Sequence, residues 1–228
     1  LKDVCFEAKP GESIAFVGPT GAGKTTIVNL ISRFYNIEEG KVLIDGNSVM
    51  DVTIHSLRSQ MGIMLQDSFI FSGTIADNIR YGKRDATDAE VVRAAKLLQA
   101  DEFISRMRDG YNTEVKERGG GLSQGQKQLI AFARTLLSDP KILVLDEATS
   151  SIDTSTEQLV QRGINILLKG RTSFIIAHRL STIKSCSRIM YIDDGRIMES
   201  GTHEELMAKK GNYYKLYMSQ YRENQENA

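Results

Sequence analysis

The sequence predicts an α/β fold in which a mostly parallel sheet is covered by helices and interrupted by an inserted helical subdomain. Short apolar runs such as "SIAFVG" and "KILVLD" have the length of buried strands, and they alternate with amphipathic helical patterns. Between residues 67 and 138 helical patterns dominate instead. The pairs Asp45-Gly46 and Asp194-Gly195 each punctuate a β-rich stretch, as hairpin turns do. We therefore expect an α/β core with a small antiparallel part over 1–66 and 139–228, and a helical subdomain over 67–138.

The individual elements follow in chain order. After the strand "SIAFVG", the pattern "KTTIVNLISRFY" predicts a helix with one apolar face, made of Ile27, Leu30, Ile31 and Phe34. "KVLIDGNSV" predicts a strand and turn, "QMGIMLQ" a strand that ends at Gln66. "TIADNIRYG", "DAEVVRAAKLLQADEFISRM" and "SQGQKQLIAFARTLL" predict helices in a region without β-rich runs. "KILVLDEA" and "TSFIIAH" then restore buried strands, "RIMYIDDGRIMES" predicts a hairpin, and "GTHEEL" carries a helix capping box.

Composition excludes several classes of protein. The 228 residues are 41% hydrophobic and 25% charged, as in ordinary globular proteins. Lys plus Arg and Asp plus Glu number 29 each, so no chain-wide field would attract nucleic acid. The two cysteines, Cys5 and Cys186, are far apart and predict free thiols. The sequence has no secretory signal pattern and no apolar run near the roughly 20 residues that span a bilayer.

The segment "GPTGAGKT" has the spacing G-x-x-x-x-G-K-[ST] of a phosphate-binding P-loop. Its glycines let backbone N–H groups converge on an anion, and the helix that follows adds its positive dipole end. Lys24 is expected to reach the β- and γ-phosphates, and the Thr25 hydroxyl to bind Mg²⁺. A glycine-rich turn with a surface lysine is the alternative, and the preceding strand and following helix argue against it. The predicted nucleotide-binding residues are Gly18, Pro19, Thr20, Gly21, Ala22, Gly23, Lys24, Thr25 and Thr26.

Two carboxylates end the strand "ILVLDE". Asp146 would lie at the carboxyl edge of the sheet, where open α/β sheets bind ligands, and it is a candidate Mg²⁺ partner. Glu147 is a candidate general base that activates water for attack on the γ-phosphate. Alone, such a pair is also typical of a solvated strand end. The P-loop in the same chain favours the catalytic interpretation.

Two more polar residues end predicted strands. The amide of Gln66 is expected to contact Mg²⁺ or the attacking water, and His178 to hydrogen-bond the γ-phosphate. Each residue alone is also typical of a structural or surface position. A second glycine-rich stretch, "ERGGGLSQGQ", has the form of a phosphate site but offers neither a nucleophile nor a base.

Taken together, these motifs resemble the nucleotide-binding domain of ABC transporters. The resemblance rests on "GPTGAGKT", Gln66 in "MLQDSFIFSGTIADNIRYG", "LSQGQ", "ILVLDE", "SSID" and "AHRLST", in this order and with matching spacing over nearly the whole chain. "FSGTIADNIRYG", "EVKERGGGLS" and the C-terminal "GRIMESGTHEELMAKKGNYYKLY" are similar to the exporter branch, in which the ATPase domain follows a membrane domain.

The resemblance implies a use for the second glycine-rich stretch. In this family two domains pair head to tail, and the signature loop of one closes over ATP held by the P-loop of the other. Ser123 suits the N-cap of a helix and Gly125 allows close approach, which agrees with that role. The signature residues are Ser123, Gln124, Gly125 and Gln126. Asp153 would then lie at the dimer seam, and Gln66 would connect hydrolysis to the membrane partner.

The chain departs from the family pattern in three places. No aromatic residue before Phe6 takes the position that usually stacks on adenine, so these residues leave the base preference open. Gln124 replaces the commonest glycine of the signature. Lys116 and Gly121 stand where a glycine and a polar residue are usual, in a segment that resembles a contact to membrane-domain loops.

The resemblance implies an ATPase motor with ATP and Mg²⁺ as cofactors, at the cytoplasmic face of a membrane. Its partners would be a second nucleotide-binding domain, identical or different, and the transmembrane domain, with no nucleic acid. Two alternatives remain: a regulatory switch that binds ATP but barely hydrolyses it, and an ABC ATPase that acts on DNA or ribosomes. The intact Glu147 and His178 argue against the first, and the zero net charge against the second.

Overall fold

The computed structural model describes residues 1–64, 69–147 and 154–226. The chain divides into two compact units. The first consists of Leu1–Met61, Lys141–Glu147 and Gly170–Ala228, and the second of Gly62–Pro140 and Ala148–Lys169. The second unit thus includes the segment predicted as a helical subdomain.

Ten strands and ten α-helices are described. The strands are β1 (Ser13–Val17), β2 (Leu43–Ile44), β3 (Asn47–Ser48), β4 (Met61–Met64), β5 (Gly73–Thr74), β6 (Glu114–Val115), β7 (Ile142–Asp146), β8 (Thr172–Ile176), β9 (Arg188–Asp193) and β10 (Arg196–Gly201). The helices are α1 (Lys24–Ile31), α2 (Ile54–Arg58), α3 (Ile75–Arg80), α4 (Asp88–Leu97), α5 (Asp101–Arg106), α6 (Gln124–Ser138), α7 (Thr154–Leu168), α8 (Leu180–Ser185), α9 (His203–Lys209) and α10 (Asn212–Glu226). Two short 3₁₀ helices span Gly110–Asn112 and Glu117–Gly119.

The main sheet is mostly parallel, as predicted. The sheet has six strands. Five of them belong to the first unit and follow the order β10-β9-β1-β8-β7. Of the sixth strand, β4, only Met61 belongs to this unit. The strands β9, β1, β8 and β7 run parallel, and β10 is antiparallel at the edge. Ile176 at the end of β8 is in register with both Phe16 of β1 and Asp146 of β7. The carboxyl ends of these three neighbouring strands therefore lie side by side.

The interior of this sheet is strongly apolar. Ile14, Phe16 and Leu143 are fully buried, and the Phe16 and Phe174 rings are stacked with their centroids 6.3 Å apart. Strands that are buried on both faces need such near-continuous apolar sequences. This explains why the runs "SIAFVG" and "KILVLD" identified β1 and β7 correctly.

Both Asp-Gly pairs form the predicted turns. Asp45 and Gly46 have φ angles of 49° and 79° and connect the antiparallel pair β2–β3. Asp194 and Gly195 have φ angles of 45° and 72° and connect β9 to β10. Two consecutive residues with positive φ match the twist of a tight hairpin, and Asp and Gly tolerate this conformation better than most residues.

The second unit is built mainly from helices around fully buried apolar residues. Phe132 of α6 is completely buried, and its ring lies where a side chain at Gly163 of α7 would have to go: a Cβ there would be 2.7 Å from Phe132 Cδ2. The absence of a side chain at Gly163 therefore lets these two helices approach closely. No helix among the described residues is long and apolar enough to cross a membrane.

Three sequence expectations need correction. The region expected to lack strands contains the short antiparallel pair β5–β6, which is too brief to produce an apolar run. The pattern "DAEVVRAAKLLQADEFISRM" forms two helices, because Gln99 between α4 and α5 adopts a φ of 57°. Phe34 lies beyond the end of α1 and is 43% exposed, under the Arg58 guanidinium at 4.5 Å, so it is not part of the buried helix face.

The buried centre of β7 should dominate the stability of the first unit. We expect Leu143→Ala to lower the free energy of unfolding by about 2–5 kcal/mol, because it leaves a cavity in a packed core. Leu43→Ala, at a leucine that is 48% exposed, is the matched control and should change it by no more than about 0.5 kcal/mol. Urea unfolding followed by circular dichroism measures both. Equal losses would contradict the assigned burial.

The loop after β1 depends on a glycine for a steric reason. A Cβ at Gly18 would lie 2.0 Å from the carbonyl oxygen of Ile192 in β9, whereas a Cβ at Gly21 would meet no atom within 4 Å. Both residues have positive φ, so alanine strains the backbone at either position. We expect Gly18→Ala to cost about 1–3 kcal/mol more unfolding free energy than Gly21→Ala, since only the former forces the backbone of β9 to move. Similar costs in urea unfolding would show that this contact is unimportant.

Candidate nucleotide-binding site

The candidate site lies at the carboxyl edge of the first unit's sheet. The predicted P-loop begins at Gly18, directly after β1, and Glu147 directly follows β7. His178 comes two residues after the end of β8, which lies between those two strands. The sheet order therefore brings together Gly18 and His178, which are 160 positions apart in the sequence. Such edges are where open α/β sheets bind ligands.

The P-loop has the backbone geometry that its glycines predicted. Gly18, Gly21 and Gly23 have φ angles of 140°, 80° and 107°. The N-cap of α1 is Gly23, which has no side chain that could cap the first N–H groups of the helix. Amides at a helix start, combined with the helix dipole, form an anion site. Thr25 and Thr26 are exposed in the first turn.

Lys24 does not extend from the loop. Its Nζ donates to the carbonyl oxygens of Gly18 at 2.7 Å and Pro19 at 2.8 Å, and the residue is only 7% exposed. Burial lowers the pKa of Lys24, and the nearby Asp146 carboxylate acts in the opposite direction. A phosphate oxygen is a stronger partner for an ammonium than a carbonyl, because the hydrogen bond joins two charged groups. The ammonium is therefore held inside the loop that an anion would enter.

The charges of Lys24, Asp146 and His178 influence one another. Burial raises the pKa of Asp146, while His178 and Lys24 hold it down. Burial also lowers the pKa of His178, and Lys24 lowers it further, against the effect of Asp146 and Glu147. The imidazole is therefore neutral near pH 7, with one nitrogen that donates and one that accepts. A neutral ring suits a hydrogen-bond contact to a phosphate or a water.

Glu147 is held more tightly than its sequence position suggested. Only 1% of the residue is exposed, and its Oε2 accepts hydrogen bonds from the backbone N–H groups of His178 at 3.0 Å and Arg179 at 3.2 Å. Its Oε1 accepts a hydrogen bond from the Thr182 hydroxyl at 2.6 Å. A buried carboxylate is tolerated only with such partners. The candidate base is thus tied to the segment that carries His178.

The residues at this site suit a Mg²⁺ ion that is bound jointly by the protein and by phosphate oxygens. Thr25 offers a hydroxyl and Asp146 a half-buried carboxylate, so the local donors are oxygens, which Mg²⁺ prefers. Within the described ranges, no group of three His, Cys, Asp or Glu residues can hold a metal. An ion here would take few protein ligands and complete its shell with water and phosphate oxygens, which is how Mg²⁺ is commonly bound.

The second glycine-rich stretch belongs to the other unit, where it starts α6. Ser123 is the N-cap: its Oγ accepts from Gln126 N at 3.2 Å, and Gln126 Oε1 accepts from Ser123 N at 3.0 Å. This capping box leaves Ser123 exposed while Gly125 is buried. Gln124, at the position that departs from the commonest pattern, is half-buried. The segment is thus a rigid helix start with an exposed hydroxyl.

Two predicted site residues, Gln66 and Asp153, lie outside the described residues. Conversely, sequence reasoning missed Thr182 as a partner of Glu147 and the Ile192 carbonyl as the reason for Gly18. Thr182 stands four residues after His178 in "AHRLST", but no local pattern there indicates a bond to Glu147. The contact of Ile192 with Gly18 comes from the pairing of β9 with β1, which no local pattern reveals.

Comparison with known proteins identifies the family. A family model described as "ABC transporter" matches residues 1–150. The ABC transporter ATP-binding protein YknV of Bacillus subtilis (strain 168) is 55% identical over 97% of this chain and 37% of its own length. A fatty acid ABC transporter ATP-binding/permease protein of Mycobacterium bovis is 50% identical over 95% of this chain and 34% of its own length.

A solved structure gives the same result. A bacterial Atm1-family ABC exporter with ATP bound has a TM-score of 0.88 and 46% sequence identity, covering 95% of this chain and 38% of that one. The chain therefore spans little more than a third of the relatives it matches. Both the P-loop and the strand with Asp146 and Glu147 fall inside the region matched by the family model. This chain belongs to the ABC transporter family and corresponds to the ATP-binding part of these proteins.

Proposed function

We propose that the chain is the ATP-hydrolysing motor domain of an ABC exporter, at the cytoplasmic face of a membrane. The observation that carries this proposal is the grouping of the P-loop, Asp146, Glu147 and His178 at the ends of β1, β7 and β8. A phosphate-binding loop alone serves a switch as well as an enzyme. A carboxylate that can take a proton and a histidine that can hydrogen-bond the γ-phosphate, both next to that loop, favour hydrolysis by in-line attack of water.

The binding step uses the loop and α1. The amides after Gly18 and at the start of α1 would hold the phosphates, and Lys24 would exchange its bonds to the Gly18 and Pro19 carbonyls for phosphate oxygens. Thr20, Ala22 and Thr26 belong to the same proposed contact surface. Mg²⁺ would be held by Thr25, Asp146 and Gln66, and when bound it would neutralise charge on the phosphates.

The chemical step is assigned to Glu147 and His178. Glu147 would accept a proton from the water that attacks the γ-phosphate, and His178 would hydrogen-bond the γ-phosphate. Since Glu147 is only 1% exposed, the site has to open locally before a water reaches the carboxylate. The bonds from His178 N and Arg179 N link the base directly to the segment that carries the histidine.

The assembly is proposed to be a head-to-tail pair of such domains. Ser123, Gln124, Gly125 and Gln126 would close over the nucleotide of the partner domain, and Asp153 would lie at the seam. The exposed Ser123 hydroxyl at the start of a 15-residue helix supports this assignment. A transmembrane domain is the other proposed partner, because the relatives include ATP-binding/permease proteins. We propose the domain limits that the sequence predicts: the ATP-binding core comprises 1–66 and 139–228, and the helical subdomain comprises 67–138.

The role of Glu147 is tested by one substitution. We expect Glu147→Gln to lower steady-state ATP turnover by about two orders of magnitude or more, since the amide cannot take the proton, while ATP affinity stays within about twofold. Phosphate release and binding of a fluorescent ATP analogue measure the two effects. Glu102→Gln, at an exposed glutamate on α5, is the control and should behave as wild type. Near-wild-type turnover of Glu147→Gln would remove the residue from its role.

The role of the signature segment is tested by association. In the Glu147→Gln background, the chain should be monomeric without nucleotide and dimeric with ATP and Mg²⁺. Adding Ser123→Glu should abolish the dimer but leave ATP binding to the chain's own P-loop intact, because a carboxylate would face the partner's phosphates. Ser138→Glu, at the other end of α6, is the matched control.

Light scattering gives the mass of each species. A Ser123→Glu variant that still dimerises with ATP would contradict the head-to-tail assignment. Loss of ATP binding together with the dimer would contradict it too, because it would mean that Ser123 serves the P-loop of its own chain.

A further inference from the structure

The carboxylate of Glu147 is oriented by one side chain that the proposed mechanism has not used. The residues that the structure describes donate three hydrogen bonds to the carboxylate, two from backbone amides and one from the Thr182 hydroxyl. Among substitutions, only proline removes a backbone N–H, and it would also change the local backbone conformation. Thr182 is therefore the donor through which the placement of the base can be changed selectively.

The distribution of these bonds distinguishes the two carboxylate oxygens. An ionised carboxylate has about four acceptor positions, two on each oxygen. Oε2 accepts from His178 N and Arg179 N, which fills both of its positions. Among the described residues, only the Thr182 hydroxyl donates to Oε1, at 2.6 Å, which leaves one acceptor position of this oxygen without a donor from this part of the chain. Oε1 is thus the oxygen that remains able to receive a proton from water.

The donor itself is rigidly held. Thr182 is fully buried in α8, and its backbone oxygen accepts from Ser185 Oγ at 2.8 Å and from Cys186 Sγ at 3.3 Å. The next residue but one, Lys184, lies 5.3 Å from the centre of the Tyr217 ring of α10, which packs α8 against the C-terminal helix. A hydroxyl fixed in this way defines the direction of Oε1 more closely than a mobile side chain would.

We propose that Thr182 is a positioning residue for ATP hydrolysis, which fixes the carboxylate of Glu147 so that Oε1 takes the proton of the attacking water once the site has opened. This inference rests on the proposed function, in which Glu147 is the general base. In the proposed mechanism, Thr182 contacts neither the nucleotide nor the attacking water, and it acts only through Glu147. Its removal therefore affects the chemical step and leaves nucleotide binding unchanged.

The test compares Thr182→Ala with Thr182→Ser in the full-length protein. Both variants lose the methyl group, and only the first loses the hydroxyl. We expect Thr182→Ala to lower kcat by about 10- to 100-fold, the worth of one hydrogen bond to a charged group, with KM for ATP within twofold. Thr182→Ser should keep kcat within about threefold of wild type. Ser219→Ala removes an exposed hydroxyl from α10 that bonds only locally, to the Leu216 carbonyl, and should leave kcat unchanged.

A merely structural role is excluded by two further measurements. Thr182→Val keeps the shape of the side chain but lacks the hydroxyl. If Thr182→Ala does not fold, Thr182→Val replaces it in the comparison with Thr182→Ser. Combined with Glu147→Gln, Thr182→Ala should cause no additional loss, because the residue acts through the carboxylate. Equal kcat values for the Ala and Ser variants, a loss that appears in KM, or a fully additive loss with Glu147→Gln would each overturn the proposal.

The outcomes also separate this inference from the function on which it rests. If Glu147→Gln abolishes turnover and Thr182→Ala and Thr182→Val do not lower it, only the positioning role is wrong. If Glu147→Gln retains turnover, the assignment of the base is wrong, and the positioning role falls with it.

Discussion

The parallel pairing of β1, β8 and β7 is the constraint on which the site depends. Because Ile176 is in register with both Phe16 and Asp146, the three strands end together. The residues that follow each strand therefore lie at the same edge of the sheet. Close packing between these strands favours that register, since a shift would separate side chains that fit together, such as the stacked Phe16 and Phe174 rings. Core packing and chemistry are therefore linked: the fully buried residues of β1 and β7 determine where the P-loop and Glu147 lie.

Electrostatics at this edge follow from the same arrangement. Burial alone would disfavour each charge, lowering the pKa of Lys24 and raising that of Asp146, while the two groups partly compensate one another. Glu147 is stabilised differently, by hydrogen bonds from the His178 segment and from α8. The site thus keeps one ammonium and two carboxylates close together with little exposure to water. In the proposed complex the ammonium of Lys24 would pair with phosphate oxygens and the carboxylate of Asp146 with Mg²⁺.

Local sequence patterns predicted much of this architecture, and the exceptions have physical causes. Gly18, Asp45-Gly46 and the N-cap at Ser123 were predictable because their requirements are confined to a few consecutive residues. The bond from Thr182 to Glu147 joins residues 35 positions apart, so it follows from tertiary packing and not from a local pattern. The break at Gln99 was missed because the apolar periodicity continues across it. The bonds of Lys24 to loop carbonyls depend on the folded loop itself.

The most direct test of the account is a structure of the Glu147→Gln protein with ATP and Mg²⁺. We expect the γ-phosphate to lie within hydrogen-bond distance of Lys24 Nζ and of His178. Ser123 and Gly125 of a second copy, or of a different partner domain, should contact the same phosphate from the opposite side. A nucleotide bound away from the ends of β1, β7 and β8, or a γ-phosphate that meets no signature residue of a facing domain, would contradict it.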